Sequence, residues 1–251
     1  MNGLEATDLL DLWERGLTQS LPRRVDALLR ATWPDAAEGD VCNWPLGLRD
    51  ARLLALRRRL FGPDVTLLAP CPSCGETVES SFRVDDVLLA AEAPLASLSV
   101  STAVIERHGY VITFRLPTSG DLIALAEAPA GAPLTPRDRL LARCVSDVRA
   151  GDGSPADAAC VPVEIAAEIA ALMAAADPQA DVQLACRCPA CGSGWAAVFD
   201  IAVVLSSEIH AWARQLLRDV HALGRAYGWR EPDVLALSPT RRGIYLELLG
   251  S

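Results

Sequence analysis

Cys71-Pro-Ser-Cys74-Gly75 and Cys188-Pro-Ala-Cys191-Gly192 are two copies of one short motif, with their first cysteines 117 residues apart. The residues that follow each copy also correspond at this offset, so the similarity is an internal repeat and not a coincidence of cysteines. The corresponding pairs are Phe82 with Phe199, Val84 with Ile201, Val87 with Val204 and Leu88 with Leu205. The chain therefore contains two strand-turn-strand units with a long insertion between them.

Each Cys-x-x-Cys-Gly turn places two thiolates on one side of a tight loop. The final glycine tolerates the positive φ that lets backbone N–H groups face the sulfurs. Two such turns supply four ligands, which complete a closed tetrahedral shell around one ion. We therefore predict one structural Zn²⁺ bound by Cys71, Cys74, Cys188 and Cys191. A closed shell has no open position for water or substrate, so catalysis at the metal is not predicted.

A redox dithiol and a disulfide are the alternatives to a zinc site. A thioredoxin-like motif needs one active pair at a helix N-terminus in a βαβ context, whereas both copies here lie between short extended segments and end in glycine. Cys186 is predicted to be a bystander, because a one-residue gap to Cys188 chelates poorly and the first copy has no counterpart. The sequence leaves open whether Cys186 takes part. Cys42, Cys144 and Cys160 are expected to be small buried hydrophobes.

Composition excludes several classes of function. The chain has 251 residues, of which 51% are hydrophobic, so it can bury a sizeable core. All 23 basic residues are arginine, which excludes Schiff-base chemistry by lysine. The net charge of −9 argues against nucleic-acid binding, because phosphate recognition needs a concentrated basic surface. The one dense basic run, Arg57-Arg58-Arg59, fans around a helix and is expected on a solvated face.

The same sequence features indicate where the protein works. No run approaches the ~18 uninterrupted apolar residues that a membrane span needs, and the N-terminus carries Glu5 and Asp8 rather than a basic leader. Cysteines arranged as metal-binding pairs are typical of a reducing compartment. We expect a cytoplasmic protein with no membrane span.

Apolar periodicity predicts an α+β fold that is mostly helical, with a split four-cysteine zinc ribbon and a small antiparallel β element. Four regions are predicted: an N-terminal helical region (1–64), the split zinc ribbon (65–90 with 181–205), an inserted β-hairpin and helical subdomain (91–180) and a C-terminal helical region (206–251). Within the insertion, segments 102–105 and 110–114 predict a hairpin. Helices are predicted over about 119–126, 136–148 and 163–175.

Helices are also predicted at both ends of the chain. Three are predicted near the N-terminus. The first carries the apolar stripe of Leu9, Leu10 and Trp13, the second begins after Ser20 as its cap, and the third runs from about residue 48 to 61. Near the C-terminus, apolar residues at spacings of three and four predict one long helix that Gly228 ends. Such a face is more often core than partner surface. The candidate partner-binding residues are Trp212, Leu216, Tyr227, Trp229 and Tyr245.

No catalytic constellation is recognisable. His210 and His221 stand eleven residues apart on one predicted helix, too far to share a metal ion. A nucleophile elbow, a phosphate-binding glycine loop and a His-Glu-x-x-His pair are all missing from the sequence. Acidic residues are expected on solvated helix surface, among them Asp121, Glu127, Asp138 and Asp200. We therefore predict a protein that is not an enzyme and has no small-molecule substrate.

Several stretches resemble one known family. They are Leu48-Arg-Asp-Ala-Arg-Leu-Leu-Ala-Leu-Arg57 leading into Phe61-Gly62, Phe114-Arg-Leu-Pro-Thr118, Glu208-Ile-His-Ala-Trp-Ala-Arg214, Val220-His-Ala-Leu-Gly-Arg-Ala-Tyr-Gly-Trp229, and Leu237-Ser-Pro-Thr-Arg-Arg242 before Tyr245-Leu-Glu247. Together with the cysteine turns, they resemble the baseplate hub assembly chaperones of T-even type contractile-tailed phages. Relatives of that family occur in the phage-tail-like contractile injection systems of bacteria.

The resemblance implies a non-enzymatic assembly factor, or chaperone, for the baseplate or central hub of a contractile tail or injection system. The implied partners are baseplate, hub or tape-measure proteins. The implied location is the cytoplasm or an assembled tail-like particle. Two alternatives stay open at this point: a permanent structural baseplate component, and a zinc-ribbon protein that binds nucleic acid.

Overall fold

The computed structural model describes residues 4–33, 41–89, 102–129, 134–156 and 161–250. The helices in these ranges are α1 (Ala6–Gly16), α2 (Leu21–Thr32), α3 (Leu46–Phe61), α4 (Val84–Val87), α5 (Ser119–Ala126), α6 (Pro136–Cys144), α7 (Val163–Ala176), α8 (Ile201–Tyr227), α9 (Glu231–Leu235) and α10 (Pro239–Leu249). The strands are β1 (Asp64–Pro70), β2 (Thr77–Arg83), β3 (Thr102–Arg107), β4 (Tyr110–Arg115), β5 (Val145–Ala150), β6 (Gln183–Arg187) and β7 (Gly194–Val198).

The fold is α+β and mostly helical, as predicted. Its sheets are small and antiparallel: a β1-β2 hairpin, a β3-β4-β5 sheet and a β6-β7 hairpin. None of the helices in the described ranges is long and apolar enough to span a bilayer.

The chain divides into two compact units. One contains residues 1–34 and 203–251, and the other contains residues 35–202. We call them the helical unit and the ribbon unit, because the second contains all seven strands of the described ranges. The division into four regions predicted from the sequence stays a prediction.

The helical unit has helix boundaries that follow from local chemistry. Helix α8 ends at Gly228, which adopts a φ of +68° and donates its N–H to the Gly224 carbonyl at 2.9 Å. Helix α10 begins with Pro239 after the cap Ser238, whose Oγ accepts the Arg241 N–H at 3.2 Å. The long C-terminal helix and its predicted end are therefore confirmed.

The ribbon unit has a core between its three-stranded sheet and α7. The predicted hairpin is confirmed as β3-β4, and its turn uses positive φ at both His108 and Gly109. Apolar residues from the sheet, the end of α6 and one face of α7 form a buried cluster: Ile105, Ile112, Phe114, Cys144, Val148, Ile165, Ile169 and Met173. Since Cys144 belongs to this cluster, its expected role as a small buried hydrophobe is confirmed.

The helix predicted over 136–148 is wrong in its last four residues. Helix α6 ends at Cys144, and the next six residues form β5, which pairs with β4 from Tyr110 to Phe114. Apolar residues recur here at a spacing of four, at Leu140, Cys144 and Val148. This spacing is compatible with a helix, and it is equally compatible with a helix end followed by a strand that enters the same core. Pairing with β4 decides in favour of the strand, and it depends on residues about 35 positions away.

Asp121 is buried, which contradicts its expected place on a solvated helix surface. It is 1% exposed and lies in the first turn of α5. One oxygen accepts from Arg115 Nη1 at 2.6 Å and from the Thr118 N–H at 2.9 Å. The other accepts from Arg115 Nη2 and from Arg143 Nε, both at 2.9 Å. This ion cluster ties α5 to the end of β4 and to α6.

The basic run in α3 also departs from expectation. Arg57 is buried and donates from Nη1 to the Gly62 carbonyl at 2.8 Å, so it stabilises the C-terminus of α3. Arg58 is exposed and pairs with Asp85 at 2.6 Å. The run is therefore not a single solvated face.

Candidate metal centre and neighbouring surfaces

The two cysteine turns sit at the tips of two hairpins that have the same register. In β1-β2 the last pair before the turn is Pro70 with Thr77, and in β6-β7 it is Arg187 with Gly194. Both members of the second pair lie 117 positions after those of the first. The internal repeat read from the sequence is therefore also a repeat of backbone structure.

Backbone hydrogen bonds close both turns in the same way. The Cys71 N–H donates to the Glu76 backbone carbonyl at 2.8 Å, and the Gly75 N–H donates to the Cys71 backbone carbonyl at 2.9 Å. In the second turn the Cys188 and Gly192 N–H groups make the equivalent bonds, each at 2.9 Å. Gly75 and Gly192 have φ of +78° and +75°, a conformation that costs a residue with a Cβ about 1–2 kcal/mol. The predicted need for glycine is confirmed.

The four sulfurs form one compact cluster. Cys71 Sγ lies 3.7 Å from Cys191 Sγ, and Cys74 Sγ lies 3.6 Å from Cys188 Sγ. All four ligand atoms lie within 4.8 Å of one another. A tetrahedral ion with Zn–S bonds of about 2.3 Å separates its sulfurs by about 3.8 Å, whereas a disulfide needs about 2.05 Å. The cluster therefore has the size of a site that could hold a metal ion, and its cysteines are not bonded to one another.

The close approach of four thiols has an electrostatic consequence. Burial disfavours the Cys71 thiolate, but N–H groups of Ser73 and Cys74 outweigh burial and lower the pKa of Cys71 to about 7. At Cys74 the Glu76 N–H favours the thiolate, but the neighbouring thiols Cys191 and Cys188 prevail and raise its pKa to about 12. Four thiolates this close need a cation to balance their charge.

The cluster has an approximate two-fold relation. In the repeat Cys71 corresponds to Cys188, and Cys74 corresponds to Cys191. The contact between Cys71 and Cys191 is therefore equivalent to the contact between Cys188 and Cys74, and the two sulfur–sulfur distances differ by only 0.1 Å. The corresponding aromatics Phe82 and Phe199 also contact each other edge to face, with ring centroids 5.0 Å apart. Each hairpin thus contributes the same residues to a shared site.

The remaining cysteines lie outside this cluster. Cys186 is buried in β6, where its sulfur lies 3.5 Å from the Ser80 hydroxyl. It does not belong to the metal-binding group of the described residues, as predicted. Cys42 is half-buried rather than buried as expected, and the same expectation for Cys160 lies outside the described residues.

Three of the five candidate partner residues form an aromatic cluster in the helical unit. Trp229 stacks on Tyr227 with ring centroids 4.8 Å apart, and it meets Tyr245 edge to face at the same separation. Tyr227 is 39% exposed, while the other two are half-buried. The structure does not bring Trp212 and Leu216 into this cluster. Trp212 is half-buried, and Leu216 is 1% exposed.

A cleft between α1 and α8 is a surface that the sequence reasoning missed. It has a volume of about 790 Å³ and is lined on α8 by Arg218 and by four residues of one stripe, His210, Arg214, Leu217 and His221. Their spacings of four, three and four place them on one helix face, distinct from the face that buries Ile209, Leu216 and Leu223. This second stripe was visible in the sequence.

Comparison with known proteins gives one family match. A family model described as T4 bacteriophage base plate protein matches residues 18–202, which is well over half of the chain and includes both cysteine turns. Curated proteins and solved structures give no significant match.

Proposed function

We propose that this chain, which belongs to the T4 bacteriophage base plate protein family, is a non-enzymatic assembly factor for the baseplate or central hub of a contractile tail. The family match carries this proposal, and it confirms the family predicted from the sequence. The partners we propose are baseplate, hub or tape-measure proteins of a phage or a phage-tail-like injection system. Assembly would take place in the cytoplasm.

The chemistry of the described residues supports a role without catalysis. A site of four thiols has no position left for substrate once an ion is bound. Two buried ion pairs of the described residues are closed clusters: Asp121 with Arg115 and Arg143, and Asp219 with Arg242. Such clusters stabilise a fold and do not present a reactive group.

The ion that we propose for the cysteine cluster is one structural Zn²⁺. Four cysteines in a tetrahedral arrangement are typical of structural zinc sites. Zinc would hold together two hairpins that are far apart in sequence and would thereby fix both ends of the intervening segment.

Metal analysis tests the zinc proposal. The purified protein should contain one zinc per chain, and Cys71→Ser and Cys191→Ser should each lose it. Cys186→Ser is the matched control, because this buried cysteine is close in sequence but lies outside the cluster; it should keep its zinc. Full zinc content in both ligand variants would refute the assigned ligands.

Exposed apolar side chains on α10 support a role in binding other proteins. Ile244 and Leu248 lie one turn apart and are more than half exposed. Tyr245, a member of the aromatic cluster with Tyr227 and Trp229, lies between them in sequence. Aromatic residues beside exposed aliphatic ones are typical of protein interfaces. An assembly factor needs such surfaces to cover tail proteins before they polymerise.

A permanent structural baseplate component is the second candidate, and the family's description as a base plate protein favours it. Quantitative mass spectrometry of purified particles separates the two. An assembly factor should be absent or present well below the copy number of known baseplate proteins, whereas a constant copy number matching the baseplate symmetry would establish the structural role.

Nucleic-acid binding has less support. The net charge is −9, and in the one dense basic run Arg57 is buried while Arg58 pairs with Asp85. A gel-shift experiment at low salt should retain neither DNA nor RNA, because nonspecific electrostatic binding is strongest there. A retained complex would favour the zinc-ribbon nucleic-acid binder instead.

A further inference from the structure

The cleft between α1 and α8 combines an apolar floor with a basic rim. Trp13 of α1, Leu17 directly after α1 and Leu217 of α8 supply the apolar surface, and both leucines are exposed to solvent, by 54% and 37%. Arg214 and Arg218 supply the positive charge, and His210 and His221 complete the lining. The cleft is lined by no acidic residue in the described part of the chain. It is a local basic region on a protein whose net charge is −9.

The two arginines of the cleft are available to a partner. Neither forms an ion pair with a described residue. Arg218 donates only to the side-chain oxygen of Gln215, at 2.7 Å from Nη2, and this acceptor carries no charge. Arg214 makes no hydrogen bond within the described ranges. A carboxylate entering the cleft would therefore gain two charged donors without displacing an existing ion pair.

Trp13 is held in a defined orientation. Its Nε1–H donates to His210 Nδ1 at 3.1 Å, and the two rings lie 5.8 Å apart. The indole N–H is therefore satisfied, and the remaining ring surface offers a rigid apolar contact. A pre-oriented aromatic residue loses little conformational entropy when a ligand binds.

The shape of the cleft favours an α-helix as its occupant. The stripe from His210 to His221 extends along about three turns of α8, or roughly 16 Å. A helix packed along this stripe would place one apolar face on Trp13, Leu17 and Leu217. Acidic residues beside that face would reach Arg214 and Arg218.

We propose that this cleft binds an acidic amphipathic helix of a partner protein. The charge complementarity is local, because Arg214 and Arg218 attract an acidic segment to the cleft while the net charge of the chain is −9. The proposal rests on the proposed function, since it names the chemistry that a tail protein would present. Nucleic acid fits less well, because phosphates would leave the apolar floor uncovered.

Two synthetic peptides test this proposal on the full chain. Both are 16-residue fluorescent amphipathic helices with the same leucines; one has glutamates on its polar face and the other has lysines. In fluorescence anisotropy at low salt, the glutamate peptide should bind at least about tenfold more tightly, a difference of about 1.4 kcal/mol. Equal binding of the two peptides, or no binding of either, would overturn the proposal.

Charge-reversal variants locate the binding. The double variant Arg214→Glu with Arg218→Glu should lower the affinity for the glutamate peptide at least about tenfold, because two attractive charge interactions become repulsive. Arg225→Glu is the matched control, since it is an exposed arginine of the same helix outside the cleft, and it should change affinity less than about twofold. Similar losses in both variants would place binding elsewhere.

Trp13 provides a direct report from the cleft. In a ¹H–¹⁵N spectrum the indole signal of Trp13, identified by its loss in Trp13→Phe, should move on titration with the glutamate peptide. If an oligonucleotide moves this signal more strongly than the peptide does, the cleft binds nucleic acid and not a protein helix. A dimer of the wild-type chain that Arg214→Glu dissociates would replace it by a second copy. Either result would overturn the proposal and leave the particle-composition test of the assembly role unaffected.

Discussion

At the scale of single residues, Asp121 shows how one buried charge organises its surroundings. Two arginines and the N–H of Thr118 bind its carboxylate, while burial opposes ionisation. Burial is the largest influence, but the Arg115 bonds, the Thr118 N–H and Arg143 together outweigh it and lower the pKa of Asp121 to about 2. The ionised form is therefore the one that the fold stabilises.

Asp121→Asn should lower the free energy of unfolding by about 3 kcal/mol at pH 7, because two guanidinium groups lose their counter-charge. In an unfolded chain this carboxyl titrates near 3.9. Because the folded pKa is depressed, the stabilisation is complete above pH ~4 and is lost as the pH falls through about 2.

Urea unfolding of both proteins at several pH values measures this effect. Asp147→Asn is the control, since that exposed carboxylate pairs only with exposed Arg149. It should cost less than about 1 kcal/mol. If the two variants lose equal stability at pH 7, the stability lost in Asp121→Asn does not come from the ion cluster around Asp121.

The turn glycines provide a second test at this scale. Gly75→Ala and Gly192→Ala should each cost about 1–2 kcal/mol, because alanine strains at positive φ, and the two costs should be similar because the turns repeat. Gly194→Ala is the matched control: its φ is not positive, and the nearest atom to a new Cβ is the Cys186 carbonyl at an ordinary 3.8 Å. Urea unfolding of the metal-loaded proteins gives the comparison. A control that costs as much as the turn variants would contradict the argument from φ.

At the scale of elements, a buried ion pair joins α10 to α8. Arg242 Nε lies 3.1 Å from Asp219 Oδ2, and Gln215 donates to the other oxygen at 2.8 Å. Both charged side chains are 11% exposed. The pair fixes α10, whose outward side carries Ile244 and Leu248, against the long helix.

Arg242→Ala should lower the free energy of unfolding by about 3–5 kcal/mol, because it leaves Asp219 buried without a counter-charge. Replacing both partners, with Arg242→Met and Asp219→Leu, should restore most of this loss. Arg241→Ala is the control, since its exposed side chain makes no bond in the described structure. Thermal or urea unfolding provides the values. A double variant as unstable as Arg242→Ala would mean that the arginine contributes by packing alone.

At the scale of the whole molecule, the metal site belongs to only one of the two compact units. All four cysteines lie in the ribbon unit, on hairpins on either side of the β3-β4-β5 sheet in sequence. Removing a metal from this site should therefore act first on the two hairpins and not on helices α1 and α2.

Hydrogen exchange on zinc-loaded and chelated protein tests this expectation. Amides of β1, β2, β6 and β7 should lose protection by about a hundredfold or more, since a structural zinc supplies on the order of 10 kcal/mol in small peptides. Amides of α1 and α2 should change little. Cys186→Ser, treated in the same way, should behave as the wild type. A uniform loss of protection would mean that the two units unfold together.

The sequence by itself determined the features that depend on short stretches. The cysteine turns, their glycines and the ends of α8 and α10 each depend on residues within a few positions, so the local pattern is sufficient to predict them. The repeat at one offset added the prediction that two distant turns share one site.

Only the tertiary structure decided the features that depend on distant partners. Strand β5 exists because β4 pairs with it, the charge of Asp121 is stabilised because Arg115 and Arg143 converge on it, and the basic cleft forms because Trp13 meets His210. In each case the local sequence is compatible with two outcomes. The free energy that separates them comes from contacts between residues far apart in the chain, which no short pattern records.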